Sequence, residues 1–151
     1  MKNHIPVSSL LHYKGSAVWH IAPEATVFDA IKLMAEKNIG ALPVMTHGTL
    51  VGIFTERDYA RKVILKGKTS KTATVGELMT TDVLYVSPDD TIEDCMALMT
   101  DKRARHLPVM ENEKLVGVVS IGDVVKAIIS DREFMIRELE RYITGGHSSM
   151  P

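Results

Sequence analysis

The chain has 151 residues, enough for one ordinary domain or two half-sized modules sharing a core, and is 45% hydrophobic and 25% charged. Eighteen Lys and Arg against nineteen Asp and Glu leave a net charge of −1, which excludes a global polyelectrolyte partner, while the apolar content excludes disorder. A single cysteine, Cys95, excludes an intrachain disulfide framework; eight aromatics are too few for a single-strand stacking platform, and no apolar run approaches the ~18 residues of a membrane span. Met1-Lys2-Asn3-His4-Ile5-Pro6 has no secretory apolar region, so a cytoplasmic protein is expected.

From Val7 onward the chain is patterned, and most of the pattern returns. A shift of 65 residues aligns residues 23–64 with residues 88–129 without a gap, pairing Leu42-Pro43-Val44-Met45 with Leu107-Pro108-Val109-Met110. Leu50-Val51-Gly52 pairs with Leu115-Val116-Gly117, and Asp58 with Asp123. The lead-in correspondence is looser: Val7-Ser8-Ser9-Leu10-Leu11 resembles Val75-Gly76-Glu77-Leu78-Met79 at a shift of 68.

In chain order, each repeat predicts a short extended stretch, His20-Ile21-Ala22 or Leu84-Tyr85-Val86, stopped by Pro23 or Pro88. Thr26 and Thr91 then read as helix N-caps, with Asp29 and Asp94 in capping-box positions. The stripes Val27, Ala30, Ile31, Met34 and Ile92, Cys95, Met96, Met99 predict helices ending near Asn38 and Arg103, with Cys95 a core residue. Two apolar strands follow in each repeat, 41–45 with 50–54 and 106–110 with 115–119, joined by polar turns. A second helix starts at Thr55 or Ser120.

The unit is β-α-β-β-α, twice. The class expected is α/β (α+β by some schemes), with the two motifs packed about a pseudo-two-fold axis because neither half buries its own sheet well. The expected divisions are motif 1 at 7–66, a linker at 67–74, motif 2 at 75–130, an amphipathic helix at 131–144 and a disordered tail at 145–151. That last helix should stop at Gly145-Gly146, with Phe134, Leu139, Tyr142 and Ile143 close to one face, packed on the module or on a second subunit.

Charge is unevenly placed. Residues 57–71 carry six cations and one acid, a balance of +5, and residues 77–94 carry six acids and no Lys or Arg, a balance of −6. Such blocks read as solvated faces, or as surfaces that meet across a subunit interface.

Gly40-Ala41-Leu42-Pro43-Val44, Leu50-Val51-Gly52-Ile53-Phe54-Thr55-Glu56-Arg57-Asp58 and their counterparts from Arg105 to Asp123 resemble the cystathionine β-synthase (CBS) domain family. The resemblance spans about residues 7 to 130, and a stand-alone tandem CBS (Bateman module) protein with no further domain is expected. It implies a non-catalytic regulatory module that binds adenine nucleotides between its two motifs and signals to a partner protein. It also implies a homodimer, and resemblance to stand-alone plant members admits a redox protein such as thioredoxin as the downstream partner.

The residues allow two readings of Thr55-x-x-Asp58 and Ser120-x-x-Asp123. Each can be a plain helix cap. Each can also present a carboxylate to a ribose diol, beside hydroxyls and helix-start N–H groups that hold phosphate. With the resemblance added, ribose binding is expected. The aromatic shortage then requires aliphatic walls for adenine. In the first site the resemblance assigns Lys14, Ser16, Trp19, Ile39, Gly40 and Ala41 alongside Thr55, Arg57 and Asp58, with Arg105 and His106 reaching across. In the second it assigns Thr80, Thr81, Val83, Leu84, Ala104 and Arg105 alongside Ser120, Ile121, Gly122 and Asp123. The cationic run at 102–106 resembles that of family members that hold a nucleotide phosphate there, which implies a phosphorylated ligand (AMP, ADP, ATP or NAD) over Asp58, and a second nucleotide or adenosine over Asp123.

Other chemistry finds little support. Gly67-Lys68-Thr69 lacks the preceding glycine and strand of a phosphate loop, and no Gly-x-Gly-x-x-Gly occurs. The six histidines and Cys95 show no metal spacing, and there is no nucleophile elbow, so neither a metal nor a catalytic residue is assigned. A scaffold with vestigial sites, a nucleotide-processing enzyme and a nucleic-acid binder are the alternatives weighed.

Overall fold

Each repeat caps a helix, turns it with a left-handed residue and follows it with a hairpin. The structure, a computed structural model, describes residues 5–14 and 18–148, with the backbone alone at residues 13, 14 and 144–148. Helix α1 is Val7–Lys14. Helix α2 (Val27–Lys37) begins where Thr26 accepts the Asp29 N–H and ends at Asn38, whose φ of 54° turns its N–H back onto the last carbonyls. Helix α5 (Ile92–Lys102) repeats the device with a full capping box between Thr91 and Asp94 and a left-handed Arg103. Between them, Thr74 and Glu77 form another box at the start of the short α4 (Val75–Leu78). Several acids of the −6 block are therefore caps: Glu77, Asp90 and Asp94 each accept a backbone N–H.

Strands β1 (Ala41–Thr46) and β2 (Thr49–Thr55) pair antiparallel, as do β3 (His106–Glu111) and β4 (Lys114–Ser120). Each hairpin bulges after its Leu-Pro-Val, at Val44/Met45 and Val109/Met110. Both turns place two residues at positive φ, His47-Gly48 and Asn112-Glu113, which matches the right-handed strand twist. The extended stretches expected at 20–22 and 84–86 contribute one parallel bridge each, Ile21 to Val44 and Val86 to Val109, rather than full strands. Past them Pro23 and Pro88 lack the N–H needed to continue a ladder.

The two cores are built crosswise. Val7 and Leu10 of α1 lie in one cluster with Val86, Cys95, Leu107 and Val119, all from the second repeat. Ala73, Val75 and Leu78 complete the other cluster, around Val27, Leu42 and Phe54 of the first. Backbone bonds follow the same crossing: Val7 donates to Asp90 and Ile92 to Ile5, while Val27 donates to Ala73. The expected divisions 7–66 and 75–130 describe the repeats in sequence, but each lead-in segment fills the core of the other repeat.

The crossing needs two close approaches, and glycine supplies both. A Cβ on Gly52 would meet Met79 Sδ at 2.5 Å and the Thr80 carbonyl at 3.0 Å, and one on Gly117 would meet Leu11. Ile53 and Thr80 exchange both backbone hydrogen bonds (2.9 and 2.8 Å) across the first of these contacts. Gly52→Ala is expected to cost about 1–3 kcal/mol through overpacking, and to lower the thermal midpoint by about 3–10 °C in a circular-dichroism melt. An unchanged midpoint would refute the close crossing.

Past Asp58 the second helix is short. Helix α3 (Glu56–Asp58) runs into a π-helical turn, Tyr59–Ile64, which the sequence did not signal. In the second repeat the counterpart is a single helix, α6, from Ile121 to Ser148. A separate helix starting near residue 131 is thus corrected. Ser130-Asp131 resembles a start signal, but no Gly or Pro interrupts the helical run before it. The expected stop at Gly145-Gly146 is also overruled, since the backbone stays helical through Ser148, and residues 149–151 lie outside the described residues. Phe134, Leu139, Tyr142 and Ile143 are all exposed, and at 100° per residue Phe134 lies opposite Leu139 and Ile143.

Candidate functional site

Two cavities open between the repeats, one over each Thr/Ser-x-x-Asp turn. The crossing of the lead-in segments decides their walls. Because Met79 and Thr80 lie against β2, the cavity holding Thr55, Arg57 and Asp58 takes its far wall from Thr80, Val83, Leu84 and Ala104. Arg105 and His106 also line this cavity. The cavity holding Ser120 and Asp123 is walled instead by Trp19, Ile39, Gly40 and Ala41. The two wall sets are thus exchanged relative to the grouping drawn from the sequence: aspartate and aliphatic wall come from different repeats.

Three assigned residues, Thr81, Ile121 and Gly122, line neither cavity. Thr81 is exposed next to the inward Thr80, and Ile121 and Gly122 sit on the outer side of the first turn of α6. Arg105 lines only the Asp58 cavity. Ser16 lies outside the described residues, and Lys14 is described by its backbone alone. The volumes, about 310 Å³ over Asp58 and about 430 Å³ over Asp123, fall at the small-ligand end of binding pockets.

Asp58 is the only buried charged residue among the described residues, 7% exposed. Its Oδ2 accepts the Thr55 N–H (3.0 Å) and hydroxyl (3.2 Å), while Thr55 Oγ1 accepts the Asp58 N–H (3.1 Å), a capping box. Its Oδ1 accepts the Thr80 hydroxyl and pairs with Lys62 Nζ, both at 3.1 Å. A carboxylate offers about four lone-pair positions, and these partners take all of them. The expected exposed carboxylate is therefore corrected: Asp58 is a tied one, and a ribose diol reaches Oδ1 only by displacing Thr80 and Lys62.

The second repeat differs at one informative position. Asp123 Oδ2 accepts the Ser120 N–H (2.8 Å) and Ser120 Oγ accepts the Asp123 N–H (3.2 Å), the same cap. Four residues on, however, Ala127 stands where the first repeat has Lys62. The difference is readable in the aligned repeats, at the 65-residue shift.

A second asymmetry lies on the axis between the cavities. His106 lines both, and a Cβ on Gly40 would sit 3.1 Å from His106 Nε2 and 2.7 Å from Glu56 Oε1. Its counterpart in the first repeat is Ala41, so one imidazole separates the two spaces. Arg57 spans the Asp58 cleft by donating to the Arg103 carbonyl (3.2 Å), an end carbonyl of α5 left without a helical partner. The cation excess expected near residues 102–106 is balanced within the cavity, whose lining holds Arg57, Arg103 and Arg105 and also Glu56, Asp58 and Asp82. Over Asp123, Lys37 stacks on Trp19 with its ammonium 4.2 Å from the ring centre, at one edge of the cavity.

Sequence reasoning missed Ile53 and Glu56 in the first cavity, and Leu11, Lys37, Asn38, Gly117 and Val118 in the second. Each belongs to an element already assigned to the cleft, so the spacing could have included them once the crossing was known. Among the described residues no group of three or more metal-ligating side chains occurs, and no helix is long and apolar enough to cross a membrane.

The family model for the CBS domain matches residues 15–65 and again residues 75–130. The CBS domain-containing protein CBSX3, mitochondrial, of Arabidopsis thaliana is 43% identical over 138 residues, covering 88% of this chain and 66% of that protein. The chain thus spans just under two thirds of that relative's length. A crystal structure of a CBS domain is 50% identical with a TM-score of 0.80, covering 84% of this chain and 99% of the other. A CBS domain pair solved with 5′-methylthioadenosine and S-adenosyl-L-methionine has the same fold, with a TM-score of 0.76 at 24% identity over 85% of this chain and 99% of that one. Two matched copies, two capped hairpins and the interlocked cleft agree: the chain belongs to the CBS domain family, as a tandem pair.

Proposed function

We propose that this CBS pair is a non-catalytic sensor that binds an adenine nucleotide (AMP, ADP, ATP or NAD) over Asp58, and a second nucleotide or adenosine over Asp123. The observation that carries the reading is the composition of the two cavities. Each sets a Thr/Ser-x-x-Asp carboxylate and a helix start against aliphatic walls, Val83 and Leu84 in one and Ile39 and Val118 in the other. Ribose suits the carboxylate, adenine suits walls poor in aromatics, and phosphate suits the helix start with Arg103 and Arg105 at its rim. That a domain pair of the same fold was solved with two adenosine-containing molecules supports the ligand class.

In this reading the chain is a homodimer that passes ligand occupancy to a downstream protein partner. The signal is limited by the ligand's differential affinity for two arrangements of the dimer. We place it in the cytoplasm; the name of the Arabidopsis relative makes the mitochondrion the competing compartment, and adenine nucleotides are present in both.

A thermal-shift panel of AMP, ADP, ATP, NAD, S-adenosylmethionine and GMP tests the proposal. Saturation at 100 times Kd adds about 2.7 kcal/mol, a rise of about 5–10 °C for a chain of this size. No shift with any adenosine compound would overturn the reading in favour of a scaffold. Turnover of the ligand, followed by chromatography, would replace it with an enzyme. Salt-sensitive retardation of RNA or DNA would replace it with a nucleic-acid binder.

A further inference from the structure

A long run of exposed apolar side chains, none of which lines either cavity, lies on α6. Ile121, Val125, Ile129, Ile136, Leu139 and Ile143 recur at helical spacing on one face and are 46%, 47%, 50%, 53%, 60% and 67% exposed. At 1.5 Å per residue the stripe is about 33 Å long. Arg132 is the one charged residue along it. The face that anchors α6 to the second core, through Val124, Ala127 and Ile128, lies about a quarter turn away, so the body does not cover the stripe. From residue 132 to residue 143 every described side chain is exposed. An unsupported helical end is marginal in water, and a continuous apolar stripe on it calls for a cover.

We infer that the cover is α6 of a second copy of this chain, packed antiparallel in a two-fold seam centred near residue 134. The inference rests on the homodimer reading above and is independent of the nucleotide. About that centre, Val125 meets Ile143 of the second copy, Ile129 meets Leu139, and Arg132 meets Ile136. Each bare C-terminal half then lies along the body-anchored half of its mate, so the self-complementary contact buries both stripes and closes.

Charge selects the direction. Glu133 and Arg137 flank the same edge of the stripe. Antiparallel packing sets Glu133 against Arg137 of the other copy, twice. Parallel packing would turn the edge that carries Glu133 and Arg137 toward the other edge of the mate's stripe, and this pairing would be lost. Arg132 lies along the seam with its stem and carries its guanidinium to the edge.

Sedimentation and light scattering of the full chain test this. The wild type is expected to be dimeric, and Ile136→Glu with Leu139→Glu to weaken the dimer by about 100-fold or more. The melt of the body should be little changed, because both side chains are exposed on their own chain. Arg137→Glu should also weaken the dimer, and adding Glu133→Arg should restore it. Copies carrying Arg132→Cys and Ile136→Cys, mixed and oxidised, should cross-link to each other in preference to themselves. A monomeric wild type would overturn the homodimer reading and the seam together. A dimer that survives the double glutamate variant would leave the homodimer reading standing and overturn the seam, and self-linking at position 132 would overturn its antiparallel direction.

Discussion

A chain truncated to begin at Gly15 is expected to lose the packing of its second repeat while the first keeps its core. Sequence order alone would assign the damage to the first repeat, to which residues 5–14 are adjacent. Val7 and Leu10, however, are buried in the second cluster, beside Ile92, Cys95 and Leu107. Their burial contributes about 1.5–3 kcal/mol each, so about 3–6 kcal/mol in total, against a typical domain stability of about 5–15 kcal/mol. The Ile92 N–H also loses the Ile5 carbonyl (2.9 Å), and the Asp90 carbonyl loses the Val7 N–H (2.7 Å). A fall of about 10–20 °C in the midpoint of the second repeat follows.

Cys95 reports the event. Burial, with Asp90 and Asp94 close by, pushes its thiol from 9.0 up to about 11. A raised value means the folded state holds the proton more tightly. The associated stability is complete below pH 9 and is lost as pH rises through about 11. At pH 8 the native thiol is therefore neutral as well as inaccessible, and alkylation should be slow. Truncation should raise the labelling rate at least about tenfold, while hydrogen exchange at Leu42, Val44 and Phe54 stays protected. A thiol that remains unlabelled would refute the crossed core.

The sequence carried the local structure well because its signals are local. Thr91 with Asp94 caps a helix by contacts three residues apart, and Asn38 and Arg103 end helices by their own φ. The 65-residue register placed both hairpins to within one or two residues. The crossing was hidden for a physical reason. Val7-Ser8-Ser9-Leu10-Leu11 and its counterpart at 75–79 present similar apolar faces, and such faces say that a segment is buried without saying against which of two similar cores. Once the lead-in segments are exchanged, the cavity walls exchange with them, which is why Thr80 and Leu84 face Asp58 and Trp19 faces Asp123. The state of Asp58 was half legible. The cap was in the spacing, but its burial depends on Thr80, 22 residues away, and on Lys62 folding back across one turn.

Asp58→Asn and Asp123→Asn are expected to separate ribose recognition from helix capping, with unequal consequences. An asparagine keeps an oxygen that can accept the Thr55 or Ser120 N–H, so each helix start survives. At position 58 the substitution also dissolves the pair with Lys62, which is one-third exposed and so contributes at most about 1 kcal/mol. A midpoint within a few degrees of wild type follows for both variants. Ligand affinity should respond far more strongly. A hydroxyl donating to a carboxylate rather than to an amide oxygen gains about 1–1.5 kcal/mol, about 2–3 kcal/mol for the two hydroxyls of a ribose diol, so titration calorimetry with AMP should show a loss of about 30–150-fold at the altered cavity. The unaltered cavity should keep its affinity, because aspartate and wall for each are drawn from different repeats and share only His106 and Gly40. Lys62→Met then decides how the Asp58 cavity works. If ribose must displace the ammonium from Oδ1, removing it should tighten binding there by up to about fivefold, the free energy of a weak ion pair. It should leave the Asp123 cavity untouched, where Ala127 offers no such competitor. AMP affinities that are indifferent to both asparagine substitutions would reduce Asp58 and Asp123 to caps. The two carboxylates would then explain how the helices start, and the cavities above them would need another recognition group.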